Sequence, residues 1–132
     1  MGRIAVANVY ISNARRSELV QGFANTEAGM IARIWHGWTK PQNADTYENL
    51  LRDEMFPSMG RVEGFEGAHL LRRADKTETE FVTITLFTSL DAVRRFAGED
   101  YETAVLHPKA HALLCRYDPK SVHYEIRITP DS

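Results

Sequence analysis

The chain has 132 residues, 43% of them hydrophobic and 26% charged, and its formal net charge is -2. A chain of that size buries one full core and rarely two, and so mild a charge supplies no global basic field for nucleic acid or an anionic membrane. No apolar run approaches the roughly 20 residues needed to span a bilayer, so neither nucleic acid nor membrane is an expected partner.

The single cysteine, Cys115, cannot build a disulfide framework, which fits a reducing compartment and a cytoplasmic location. It follows Ala112-Leu113-Leu114 and reads as a small buried apolar residue. The early stretch "IAVANVYI" runs straight into the polar "SNARRSE" and makes a poor signal peptide. Residues 1–29 have weak periodicity and end in Gly29, so they read as an N-terminal extension, either a flexible arm or an added strand over 4–11. Met30 is the expected opening of the folded unit, which is expected to cover 30–128 and leave 129–132 as a tail.

From Met30 onward the elements are legible. "IARIWHGWT" alternates with period two, the signature of a strand over 31–39. Its parity is taken to put Ala32, Ile34, His36 and Trp38 toward the helices and Ile31, Arg33 and Trp35 on the other face. Lys40-Pro41 stops the strand. A helix over 44–55 follows, with Asp45 and Glu48 as a capping box and Tyr47, Leu50, Leu51 and Met55 as one apolar stripe. Pro57 and Gly60 close it.

Residues 65–73 and 80–87 read as an antiparallel hairpin around "ADKTE". Thr88 or Ser89 then caps a second helix, "LDAVRRFAG", ended by Gly98. A short helix interrupted near Pro108 and a last alternating strand, "SVHYEIRI", complete the order β-α-β-β-α-β. That order is the ferredoxin-like split βαβ motif of an α+β fold, a four-stranded antiparallel sheet with helices on one face. The second sheet face, expected to carry Arg33, Trp35, His69, Thr83, Thr85, His123 and Glu125, needs cover. A homodimer packed sheet to sheet supplies it, with Arg33, His123 and Glu125 pairing across the contact.

The opening "MIARIWHGWT", the internal "FAGEDYETAV" and the closing "SVHYEIR" resemble the antibiotic biosynthesis monooxygenase family, of the dimeric α+β barrel superfamily. The resemblance covers 30–127. It implies a cavity in each subunit between sheet and helices. It also implies oxidation of a phenolic, anthrone or quinol-type aromatic by O2 with no metal or flavin. Haem-degrading relatives use an asparagine, a tryptophan and a histidine whose aligned positions here hold His36, Phe87 and Val105, none of which matches. A non-catalytic dimeric module that binds a small molecule is the alternative of another class.

Under the expected parity, His36 and Tyr124 are the catalytic pair. His36 is the base, because imidazole titrates near neutrality, and the Tyr124 hydroxyl holds the oxyanion, a role Tyr47 could share. Trp38 and Tyr47 are the substrate-binding walls and His107 sits at the mouth. His107 and His111 have the spacing of two metal ligands on a helix face, but Pro108 lies between them and no third ligand is placed, so no metal is expected. His69 and His123 are expected at the interface.

Overall fold

In the computed structural model, residues 30–130 are described. The extension expected over 1–29, with its strand over 4–11, lies outside the described residues. The chain divides into a larger unit, Ile31–Tyr124, and a smaller one that includes Met30 and residues 125–130. Within the smaller unit the Ile126 N–H donates to the Met30 carbonyl at 3.0 Å.

The larger unit follows the expected element order with additions. Strand β1 (Ile31–Thr39) leads through a 3-10 turn (Pro41–Asn43) into helix α1 (Ala44–Leu50), a π turn (Leu51–Met55) and helix α2 (Phe56–Met59). Strands β2 (Phe65–Ala74) and β3 (Thr79–Phe87) form the hairpin, and helix α3 (Leu90–Ala97) follows. A 3-10 turn (Pro108–Ala112), strand β4 (Leu114–Tyr117) and strand β5 (Val122–Glu125) complete it. The sheet has five strands in the order β2-β3-β1-β4, with β5 also paired to β1, and is not closed. The ferredoxin-like α+β class is therefore observed, with β4 added to the expected four strands. No helix among the described residues is long and apolar enough to cross a membrane.

Strand β1 alternates as expected, but the buried parity is the opposite one: Ile31, Arg33, Trp35, Gly37 and Thr39 are buried, and the residues between them only partly so. Two packed clusters show why. Trp35 joins Tyr47, Leu50, Leu51, Phe81 and Ala110, while Ile31 joins Met59, Phe87, Ala92 and Val93. The helices thus lie over the Trp35 face. Phe81 and Phe87 are fully buried there, and each such side chain contributes about 1.5–3 kcal/mol. Register then fixes the neighbours: Trp35 pairs with Thr83 and Arg33 with Thr85, while His36 pairs with Val82 and Ile34 with Ile84. Directly paired residues share a face. Arg33, Trp35, Thr83 and Thr85 therefore face the helices, and the open face carries Ile34, His36, Trp38, Val82 and Ile84. His69 pairs with Ile84 and does lie on the open face, as expected.

Close approach sets the shape of the covered face. A Cβ on Gly37 would sit 2.6 Å from Cη2 of Trp35, so only glycine lets that indole lie across its own strand. Gly64, at φ +93, brings the chain within reach of Ala92, where a Cβ would meet Cβ at 2.5 Å. Ser89 caps α3, its Oγ accepting from the Ala92 N–H at 3.1 Å, and Gly98 ends the helix at φ +87. The expected capping box on α1 is absent. The N-cap is Asn43, without a side-chain bond, and Asp45 and Glu48 instead each accept from Arg72 of β2 at 2.8 Å. Cys115 is exposed on β4 rather than buried, because the stretch expected as the end of a helix is extended there.

Candidate functional site

Between the sheet and the α1–α2 segment lies a cavity lined by Arg33, Trp35, Tyr47, Met55, Phe96 and His107, among others. Its empty space, open mouth included, is about 510 Å³. Leu51 and Met55, the ends of the π turn, both face it. A π turn widens a helix locally and commonly marks a functional position.

Arg33 is the cavity's charged group. It is only 4% exposed. Its Nη1 donates to the Tyr101 carbonyl and to Nε2 of His123, at 3.0 Å, and its Nη2 donates to the Thr103 carbonyl at 3.1 Å. Its guanidinium carbon lies 5.5 Å from the centre of the Phe96 ring. Among the described residues no carboxylate lies within ion-pair distance of it. Burial lowers its pKa to about 10, which still leaves it charged at neutral pH. Burial first, and the Arg33 charge second, push His123 below its ordinary 6.5, with Glu102 opposing. A neutral His123 suits the geometry, because Nε2 must offer a lone pair to the guanidinium and Nδ1 then carries the proton.

The remaining polar tips are hydroxyls. Ser121, 4% exposed, and Thr83 both line the cavity, and among the described residues neither Ser121 Oγ nor Thr83 Oγ1 has a hydrogen-bond partner. Tyr47 is 2% exposed and packs against Phe81 in a tilted arrangement, 4.8 Å between ring centres. Burial pushes its phenol pKa up, so it stays a neutral O–H. Trp35 is fixed by its indole N–H, which donates to the Asp118 carbonyl at 2.7 Å.

The expected site residues divide. Tyr47 and His107 do line the cavity. His107 accepts from the Lys109 N–H through Nδ1 at 3.1 Å and meets Oε1 of Glu54 through Nε2 at 3.2 Å. The Lys109 ammonium holds the Glu54 carboxyl below its usual range, and His107 adds to that. His36 and Trp38, expected beside Tyr47, lie instead on the open sheet face, because helix packing took the other parity of β1. There His36 Nδ1 bonds Oε2 of Glu80 at 2.9 Å, the imidazole stacks on Trp38 at 6.2 Å, and Arg116 sits 3.8 Å over that indole. Tyr124 is 55% exposed and likewise points away from the cavity, for on β5 it is His123 that meets Arg33. Arg33 and His123, expected to pair across a dimer contact, pair with each other inside one chain.

Sequence reasoning missed Arg33, His123, Ser121 and Thr83. Arg33 and Thr83 share parity with Trp35, and reading Gly37 as the space that lets Trp35 lie flat would have found that face. Among the described residues no group of three His, Cys, Asp or Glu side chains converges as a metal site.

The architecture is shared with solved structures. SnoaB from Streptomyces nogalater, a cofactor-independent oxygenase, is 25% identical, with 80% of this chain and all of that one covered at a TM-score of 0.51. The monooxygenase from the gene ActVA-Orf6 of Streptomyces coelicolor, solved with nanaomycin D, is 20% identical over 79% of this chain and 92% of its own, at 0.52. Rv0793 from Mycobacterium tuberculosis is 19% identical over 76% and 98%, at 0.54. A search among curated protein sequences finds no match. The family profile of antibiotic biosynthesis monooxygenase matches residues 29–105, more than half of the sequence, so the chain belongs to the antibiotic biosynthesis monooxygenase family.

Proposed function

We propose that this protein is a cofactor-independent oxygenase that oxidises a small phenolic, anthrone or quinol-type aromatic with O2 in the cavity beneath its helices. The observation that carries this reading is a buried Arg33 guanidinium, without a carboxylate partner among the described residues, set in walls of Trp35, Tyr47 and Phe96. Such chemistry needs aromatic walls, exclusion of water and a fixed charge for a developing anion. Family membership and the oxygenase names of SnoaB and the ActVA-Orf6 product support it.

The steps balance. A ring CH2 group loses its proton to water. The resulting anion is held by Arg33 and passes one electron to O2, leaving a substrate radical and superoxide. Their recombination forms a C–O bond and a peroxide anion. The proton returns, and loss of water leaves a carbonyl, so CH2 and O2 become C=O and H2O. Oxygen uptake with a panel of anthrones and hydroquinones tests the reading; no uptake with any of them, by protein that binds them, overturns it.

The working unit is proposed to be a homodimer joined through the open sheet face. That face carries Leu71, Val122 and Tyr124, about half exposed, beside Ile34, Val82 and Ile84. So apolar a sheet surface calls for cover. Sedimentation at micromolar concentration tests this, and a monomer would contradict it. The non-catalytic binding module keeps one observation in its favour: His36, the base expected from the sequence, is engaged by Glu80 and is not in the cavity.

A further inference from the structure

We propose that the cavity binds its substrate as a planar aromatic monoanion, with the anionic oxygen on the Arg33 guanidinium and the Ser121 and Thr83 hydroxyls. This rests on the reading of the cavity as the substrate site, and it adds that the negative charge is present when the substrate enters rather than only during the reaction.

The donor inventory leads to it. A guanidinium has five N–H groups. Tyr101, His123 and Thr103 take three of them. The Nε–H and the second Nη2–H have no protein acceptor among the described residues. Every partner Arg33 has among the described residues is neutral: two carbonyls and an imidazole whose pKa is lowered. A buried cation with no counter-charge is costly, and proteins normally pair one. The same cavity holds two hydroxyls without partners among the described residues, one of them, Ser121, almost fully buried. Buried polar atoms left unpaired ask for an explanation, and a ligand oxygen supplies one for all of them.

The surroundings favour an anion over a neutral guest. The carboxylate bonded to a lining residue is Glu54, and Lys109 and His107 already engage it. Tyr47 stays a neutral O–H donor. The walls at Trp35, Tyr47 and Phe96 are aromatic, so a flat ring carrying one acidic oxygen meets both requirements. A dianion would be over-charged for a single guanidinium.

Two matched pairs of probes test this by calorimetry or Trp fluorescence: benzoate with benzamide, and 2-naphthoate with 2-naphthamide. In each pair the shape is kept and only the charge differs. The anion is expected to bind about 10- to 100-fold tighter than its amide, the range for a charge-assisted bond in a desolvated site. Arg33→Met should bring the two members of a pair to equal affinity, while Arg33→Lys keeps most of the preference. Ser121→Ala should weaken the anion a few-fold and leave the amide unchanged. Equal binding of acid and amide by the wild-type protein overturns the proposal, as does the absence of anion binding at 10 mM in both pairs, roughly the weak limit of a specific site. A preference that survives Arg33→Met does so too. The wild-type comparison stands even where the Met variant fails to fold. Since no turnover is read, an anion-binding protein that consumes no oxygen refutes the oxygenase reading and leaves this one standing.

Discussion

Arg33 on β1 and His123 on β5 meet at 3.0 Å, the guanidinium donating to the imidazole Nε2, on the helix side of the sheet. The contact fixes a cation in a cavity wall without neutralising it.

Replacing Arg33 by Met should lower oxygenase turnover about 10²–10³-fold, the cost of losing a preorganised charge. Stability should fall by about 1–3 kcal/mol, because the Tyr101 and Thr103 carbonyls and Nε2 of His123 lose their donor. Steady-state oxygen consumption and thermal melting check the two halves together.

His123 makes the fold sensitive to acid. Its folded pKa lies below the 6.5 of the free group, so the unfolded chain takes up a proton first as pH falls. The stabilisation is complete above 6.5 and is lost as pH drops through that value toward the folded pKa. Thermal midpoints of the wild-type protein should therefore fall across this window, and His123→Gln should flatten that part of the profile.

Gly37→Ala should destabilise the protein by about 1–3 kcal/mol, the usual cost of overpacking. The new methyl would sit 2.6 Å from the Trp35 indole and push it from the cavity wall. Denaturant unfolding measures the loss, and a shifted Trp emission reports the displaced ring.

How much of this was readable in the sequence depends on the element. Alternation in "IARIWHGWT" identifies β1 to the residue, and Tyr47, Leu50 and Leu51 do form the buried stripe of α1. The face of β1 was not readable, because both parities carry aromatic and aliphatic side chains: Ile31 and Trp35 on one, Ile34 and Trp38 on the other. With both parities apolar, alternation cannot say which face the helices cover. Arg33 was assigned outward because it shares the parity of Ile31 and Trp35, the face taken to lie away from the helices. Its backbone acceptors, Tyr101 and Thr103, lie in a loop far along the chain and leave no local trace. Strand β4 was hidden for another reason: "LCRY" pairs as a strand only because β1 offers its edge near Gly37 and Thr39.

The central claim is that chemistry resides beneath the helices at Arg33 and not on the open sheet face at His36. The most direct measurement is oxygen uptake by wild type, Arg33→Met and His36→Ala on one oxidisable anthrone or hydroquinone. The account predicts a large loss for Arg33→Met and a rate within about twofold of wild type for His36→Ala, the ordinary scale of a substitution outside the site. The reverse pattern, with His36→Ala inactive and Arg33→Met unimpaired, would contradict it.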